Sequence, residues 1–243
     1  MSASASLECY AEQVNAVTSL NRVWHELMHF VEPLGINALA YYHKAPPGAA
    51  DYSDKYFKAI GFDEELAKDH RRNHKIFGEP FTSHFNPLLE PMFWGDVSQK
   101  LNLSDSQLEQ LRNFYRPDPS NGLVVPVFGP NSRNGCVVLR FKDHESLFPR
   151  DKVHRINFAC NQSHIQFCRI KARDSDQSVK LTAREQEVLT WVARGKSNAV
   201  IADIVGISQH TVNGYLRRVY LKTQTSDRTT AALRAIGDSL IDY

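Results

Sequence analysis

Hydrophobic positions recur along the first two thirds of the chain with two different periods. Between residues 12 and 31, Val17, Leu20, Trp24, Leu27, Met28 and Val31 fall on one stripe at helical spacing, which predicts an amphipathic helix of about five turns. "INALAYYHK" (36–44) reads as a strand, and "APPGAADYSD", with two Pro and a Gly, as the loop after it. A second strand is expected near Tyr52–Ile60, a highly charged helix over 63–75 opened by Asp63, and a short helix from about Asn86 towards Trp94. "LSDSQLEQLRNFY" (103–115) starts at Ser104 with Gln107 three residues on, the spacing of a capping box, and predicts a helix. "NGLVVPVFG" (121–129) and "NGCVVLRFK" (134–142) are apolar runs, each entered by Asn-Gly and joined by the turn-rich "PNSR", as in a hairpin. A helical pattern resumes from Pro149 to Ile170.

"KARDSDQSVK" (171–180) is polar, charged and free of aromatics, the composition of a linker. Beyond it come four short helical segments with no strand signal, at 182–193, 197–205, 208–222 and 228–236. Their starts carry side chains that satisfy orphan backbone N–H groups: Thr182 with Glu185, then Ser197, Ser208 and Asp227. The fold class expected is an α+β domain, helices around a small and mainly antiparallel sheet, over residues 1–172. A linker follows at 173–180, then an all-α domain of four helices over 181–243.

In the last domain, "NAVIADIVGISQHTVNGYLRRVY" (198–220) sharpens the picture. Counting Asn198 as one, Ala202 falls at five, Gly206 at nine and Val212 at fifteen, with Ile201, Val205 and Ile207 filling the apolar positions between. This is the pattern of a helix-turn-helix. A small Ala202 lets the second helix cross closely, Gly206 allows the positive φ of a tight turn, and Val212 plugs the angle between the helices. On the third segment Val212, Tyr215, Leu216 and Val219 share one face, which leaves His210, Asn213, Gly214, Arg217 and Arg218 towards solvent.

Charge supports that reading only locally. The whole chain has a formal net charge of +2, too small to announce a nucleic-acid or membrane partner. From Arg194 to Lys222, however, five Lys or Arg stand against one acid, Asp203. Arg217 and Asn213 are expected to read bases while Arg218, Lys222 and Ser197 hold phosphates, with Lys196, His210, Thr211 and Gly214 the further DNA-binding residues. Gly214 has two readings: a close approach of helix to base edges, or a tolerated position.

The remaining composition is that of an ordinary globular protein, 42% hydrophobic and 10% aromatic. No apolar run approaches the roughly 18 residues of a membrane span, and "MSASASLECY" has no secretory character, so a cytoplasmic location and no membrane partner are expected. Cys9, Cys136, Cys160 and Cys168 form no C-x-x-C pair, which reads as scattered reduced thiols, with Cys160 and Cys168 open as a redox pair. No cofactor is called for. "WHELMH" (24–29) does contain His-Glu-x-x-His, whose two imidazoles one helical turn apart can hold zinc around a polarised water. This keeps a zinc-dependent peptidase using His25, Glu26 and His29 as the alternative. Against it, His25 and His29 lie roughly 120–160° from the apolar stripe at 100° per residue, on the wet side of the helix. Neither a catalytic nor a metal residue is therefore expected.

Residues 181–236 resemble the C-terminal DNA-binding domain of LuxR-type transcription regulators, particularly in "LTAREQEVL", "ARGKSNAVIA", "ISQHTVNGYLRRVYLK" and "DRTTA". Departures are Tyr215, where a His is frequent, and Thr223-Gln224, where Leu-Gly is usual. A resemblance to the autoinducer-binding domain of the same family spans about residues 12–170, through "GFDEELAKDHRRNHKIFGEPF", "EPMFWGDV", "GLVVPVFG" and "GCVVLRF" in that order. Glu79-Pro80 precedes Trp94 by the fifteen residues that separate Asp-Pro from Trp in the family. The resemblance implies that Glu79 accepts a ligand N–H, and that Leu66, His70 and Phe62 stand where the family has a Trp and two Tyr that contact an acyl-homoserine lactone. Leu66 and Phe62 cannot make those polar contacts, which weakens a lactone site by about 1–3 kcal/mol for each partner left unpaired.

The ligand implied is therefore a small, largely apolar molecule with one or two hydrogen-bond donors. It would be held by Glu79 and His70 among Phe62, Leu66, Phe77, Phe93 and Trp94; alternatively His70 faces water on its charged helix, or the pocket is empty and the domain only dimerises. A helix-turn-helix reads a short half-site, so a homodimer on palindromic double-stranded DNA is expected, with RNA polymerase a further partner. Val153, Ile156, Phe158 and Phe167 on the 149–170 helix are a candidate dimer face or, equally, ordinary core. The function expected is a ligand-responsive, sequence-specific transcription regulator of the quorum-sensing type.

Overall fold

A computed structural model describes residues 6–52, 56–65, 68, 88–96, 104–106, 109, 121–144, 147–174 and 179–241. The chain divides into two compact units, Met1–His43 with Tyr56–Pro130 and Asn134–Asp174, and Lys44–Lys55 with Asn131–Arg133 and Ser175–Tyr243. The first is α+β and the second is built on α-helices.

In the first unit the predicted helix over 12–31 is two helices, α1 (Leu7–Asn15) and α2 (Leu20–Val31). Ser6 caps α1 by accepting from the Cys9 N–H, and the β-branched Val17 and Thr18 ahead of Ser19 favour the break. The interruption is held from elsewhere: the Gln166 side chain donates to the Val17 carbonyl over 2.6 Å. Helix α2 buries Val23, Trp24, Leu27, Phe30 and Val31, then ends in a 3₁₀ turn whose Gly35 takes φ 102° to turn the chain into the sheet.

The sheet holds β1 (Ile36–Lys44), β2 (Tyr56–Ile60), β3 (Met92–Phe93), β4 (Gly122–Val127) and β5 (Asn134–Phe141), in the order β2-β1-β5-β4-β3. Pairs β1–β2, β3–β4 and β4–β5 are antiparallel, with Tyr42 opposite Phe57, Met92 opposite Val124 and Val125 opposite Val137. Met92–Phe93 is thus a strand where a helix was expected, because its ladder partner is β4; a short apolar run has no period of its own to choose between the two. Alternation sorts the side chains onto two faces. Leu39, Tyr41, Leu123, Val125, Val137, Leu139 and Phe141 pack with α1, α2 and α3 (Lys152–Asp174) in the main core. Ala40, Tyr42, Val124, Cys136 and Val138, with Met92 and Trp94, form a second cluster.

Helix α3 runs through 173–174, where the linker was expected to begin. Of the two readings of this helix's apolar residues, Ile156 and Phe167 follow the ordinary-core one, fully buried within this unit, while Phe158 is half-buried. Cys160 and Cys168 stand eight residues apart on the continuous α3, about 12 Å along its axis, beyond the reach of a disulfide. The helix expected at 103–115 lies mostly outside the described residues.

In the second unit α4 (Ala183–Ala193), α5 (Asn198–Val205), α6 (Gln209–Thr223) and α7 (Arg228–Gly237) surround one core of Val188, Leu189, Ile201, Ala202, Val212, Leu216, Val219, Ala231 and Ala235. Every expected cap is in place: the Thr182–Glu185 capping box, Ser197 on the Val200 N–H, Ser208 on the Thr211 N–H, and Asp227 on the amides of Thr229 and Thr230. Gly206 ends α5 at φ 71° and ψ 39°, the left-handed conformation the tight turn needs. Gln224 ends α6 in the same region at φ 55° with a side chain present.

Candidate nucleic-acid interface

Helices α5 and α6 carry the site. Ala202 is buried at their crossing and Val212 is completely enclosed, as the two-helix motif requires. This turns His210, Thr211, Asn213, Arg217 and Arg218 outward as exposed residues, with Gly214 half-buried between them. A Cβ built on Gly214 meets nothing within 4 Å, so the protein's own packing gives no reason for a glycine in the middle of α6.

Asn213 is oriented by a relay. Its Oδ1 accepts from Asn198 Nδ2 at 2.7 Å, and Asn198 Oδ1 accepts from Arg228 Nη1 at 3.2 Å. A guanidinium can only donate, so it dictates which way the Asn198 amide faces and hence which end of Asn213 is engaged. The Asn213 NH₂ is the end of that amide not engaged by Asn198. Arg228 also donates from Nη2 to the Lys196 carbonyl at 2.6 Å, fixing the turn before α5 where Lys196 and the N-cap Ser197 are exposed. Thr211 is restrained too, its hydroxyl 2.8 Å from Ser208 Oγ.

The cations read as one basic cluster divide into different environments. Arg217 and Lys196 are exposed. Arg194 lies over the Trp191 ring and Arg218 over the Tyr215 ring, at 5.0 and 4.6 Å. Lys222, expected to hold a phosphate, also has partners within the protein. Its ammonium donates to Glu185 Oε2 at 2.6 Å and to the Lys180 carbonyl at 3.1 Å, with Arg218 Nε 3.6 Å from the other carboxylate oxygen. Burial alone would raise the Glu185 pKa, but donation from Lys222 and from Thr182 outweighs it and holds the carboxyl below the usual glutamate range. Sequence reasoning missed Asn198 and Arg228 as site residues, since neither lies on the groove-facing side of α6, and it read Glu185 only as a cap.

On the expected ligand site, Phe62 and Trp94 both pack with the second sheet face, and Trp94 lies against Gly122 so closely that a Cβ there would meet its ring at 2.5 Å. The Arg140 guanidinium covers the Phe62 ring at 5.1 Å. Phe93 does not join them. Strand alternation sends it to the main core, 5.9 Å from Phe141 and beneath the Arg150 guanidinium at 4.1 Å. Leu66, His70, Phe77 and Glu79 lie outside the described residues. In the His-Glu-x-x-His stretch, His25 and His29 are exposed and Glu26 accepts from Arg22 at 3.2 Å, while Trp24 and Leu27 are fully buried.

Comparison with known proteins places this geometry. Residues 179–235 match the family of bacterial regulatory proteins, luxR family. The chain is 30% identical over 154 residues to the candidate HTH-type transcriptional regulator y4qH of Sinorhizobium fredii, covering 63% of this chain and 47% of that protein. It thus spans about half the length of that relative. It is 24% identical over 176 residues to the transcriptional activator protein AhyR of Aeromonas hydrophila, covering 70% and 67%. A solved structure of SdiA in complex with octanoyl-rac-glycerol aligns with a TM-score of 0.75 at 17% identity, covering 98% of this chain and 96% of that one, a likeness of fold. These relatives are transcriptional regulators and not peptidases. The helix-turn-helix of α5 and α6 therefore lies in a domain, residues 179–235, of the luxR family of bacterial regulatory proteins, and the chain as a whole is similar to transcriptional regulators that match well beyond that domain.

Proposed function

We propose that the chain is a sequence-specific, ligand-responsive DNA-binding transcription regulator of the quorum-sensing type, acting as a cytoplasmic homodimer on palindromic duplex DNA and presenting it to RNA polymerase. Residues 1–174, to the end of α3, would sense and dimerise, the segment from there to 180 link, and 181–243 bind DNA. The observation that carries the reading is the exposed face of α6, where Arg217 stands one turn from an Asn213 held in a defined orientation by Asn198 and Arg228. An arginine and an oriented amide on a groove-entering helix are the side chains that distinguish base edges. Lys196, Ser197 and Arg218 flank them and supply phosphate contacts.

The ligand proposed is small and largely apolar with one or two hydrogen-bond donors, held by Glu79 and His70 beside Phe62, Leu66 and Trp94. That SdiA was solved with octanoyl-rac-glycerol, an acyl chain on a polyol rather than on a lactone, supports this class. Selection of the full-length protein against random duplexes, followed by binding measured across salt, tests the reading. Enrichment of a palindrome is expected, with log K falling linearly in log salt by about 0.9 per phosphate neutralised. Arg217→Ala is expected to lose discrimination at one base pair in each half-site, about 1–3 kcal/mol. No enriched sequence, or unaltered specificity in Arg217→Ala, would count against it. Mass spectrometry of an organic extract of the purified protein tests the ligand, and DNA binding indifferent to every compound recovered would defeat the sensing part.

A further inference from the structure

Three chemistry-bearing side chains that regulation of DNA leaves unused meet inside the first unit. His43 lies near the end of β1, on the face that Leu39 and Tyr41 share by alternation. His164 and Cys168 are one turn apart on α3, the spacing that puts two side chains on one helix face. All are buried, at 2%, 0% and 3% exposure. One ligating atom from each can be chosen so that all lie within 4.8 Å of one another. Between Cys168 Sγ and His164 Nε2 the distance is 3.7 Å, the span that a metal bonded at about 2.0–2.1 Å to nitrogen and about 2.3 Å to sulfur subtends at roughly 115°.

The surroundings are those of a metal ligand set. His164 Nδ1 lies 2.8 Å from the Tyr41 hydroxyl. When that hydroxyl accepts the Nδ1–H, the lone pair of Nε2 faces Cys168, the outer-shell arrangement that orients a ligating imidazole. Trp24 stacks on Tyr41 at 3.7 Å, and the Phe167 ring stands 5.0 Å from His43 and 5.1 Å from Tyr41, so the cluster has an apolar wall.

We propose that His43, His164 and Cys168 bind one thiophilic metal ion, Cu(I). One soft thiolate joined by two neutral imidazoles, which suit copper, makes a donor set for a thiophilic ion. The thiolate neutralises a monovalent ion, whereas a divalent ion would leave a net positive charge in an aromatic cage, at a large desolvation cost. Three donors complete a trigonal shell for Cu(I), while zinc asks for a fourth. On binding, the Cys168 S–H bond breaks, an S–Cu bond forms and the proton leaves to solvent; copper stays monovalent throughout. The ion would tie the end of β1 to α3 and raise the melting temperature of the protein by mass action.

The test uses full-length, reduced protein in a Cys9→Ser background, since Cys9 is an exposed thiol. Anaerobic titration with Cu(I) against a colorimetric Cu(I) chelator is expected to show about one ion bound per chain. Cys168→Ser, nearly isosteric, and His164→Gln are each expected to weaken binding at least tenfold, whereas Cys160→Ser, on the same helix outside the cluster, keeps it. X-ray absorption of the loaded parent protein, which needs no variant to fold, is expected to show one sulfur and two nitrogens around copper. No uptake against the chelator, a copper shell without sulfur, or binding unchanged in a folded Cys168→Ser protein overturns the site. Displacement of Cu(I) by an equal concentration of Zn(II) overturns the choice of ion.

Discussion

Replacing Lys222 by Ala isolates the ion pair that ties α6 to Glu185. The Glu185 side chain is 2% exposed and its Oε2 receives the Lys222 ammonium at 2.6 Å, so truncating the lysine leaves a carboxylate enclosed without its nearest cation. Breaking a buried pair from one side costs about 3–5 kcal/mol. Two features trim that here: Lys222 is itself 37% exposed, and Arg218 at 3.6 Å, 54% exposed, remains as a weaker partner. The loss expected is about 2–3 kcal/mol, or a roughly 30- to 150-fold faster amide exchange in peptides from 183–193 and 209–223 where opening is global. Hydrogen exchange followed by mass spectrometry reads this in the intact chain. The sign of a second comparison is more telling than the size of the first. Glu185→Gln combined with Lys222→Ala removes the stranded charge while keeping an acceptor for the Thr182 N–H, so the double variant is expected to be more stable than Lys222→Ala alone. A double variant as unstable as the sum of both changes, or a Lys222→Ala protein within about 0.5 kcal/mol of the parent, would show that Lys222 is only a surface cation.

Gly214→Ala is expected to separate stability from binding: α6 gains about 1 kcal/mol because an interior glycine is replaced and the new methyl meets no protein atom, while affinity for the selected palindrome falls. Thermal unfolding and fluorescence anisotropy check the two halves, and affinity equal to the parent's would leave Gly214 a tolerated position. Gln224→Gly, at φ 55°, is expected to stabilise the second unit by about 1 kcal/mol, read in a denaturant titration. Asn198→Leu cuts the relay from Arg228 and is expected to blur base preference at the Asn213 contact by about 1 kcal/mol without changing the salt slope. Glu185 and Asp227, the latter held down chiefly by the Thr230 hydroxyl and amide, both titrate below their ordinary values in the folded chain. Their contribution is whole above the unfolded carboxyl values of about 3.9–4.3 and is lost as pH falls through the lower folded ones, so exchange protection of α4 and α7 should be flat from pH 6 to 8 and decline only in acid.

Much of the second unit was legible residue by residue because its signals are local. A serine or aspartate cap acts on an amide two or three residues ahead, and the left-handed turn at Gly206 needs only its own missing Cβ. The hairpin of β4 and β5 and the strand at β1 declared themselves through composition and flanking turns. Where the chain gave a short apolar run and no cap, as at Met92–Phe93, nothing nearby could arbitrate, and the facing strand did.

The candidate sites divide along the same line. The outward face of α6 follows from 3.6-residue periodicity, so His210, Asn213, Arg217 and Arg218 could be placed on it from the sequence alone. That Asn213 is oriented by Arg228, fifteen residues further on, through Asn198, and that Lys222 turns inward to Glu185, depends on how four helices pack. Phe93 and Trp94 are adjacent in sequence, yet Phe93 packs in the main core while its strand neighbour Met92, and Trp94 just beyond the strand, pack on the other face of the sheet. His164 and Cys168 share a helix face by spacing, but only the fold carries His43 to them from 121 residues away. What could be read from sequence alone was the caps, turns and helix faces of the second unit and the strands with clear flanking turns, since those rest on interactions over one turn or one alternation. Which charged and polar groups are drawn into which partnership was decided by tertiary structure, because burial and distance between remote residues set the cost of leaving a charge or an imidazole alone.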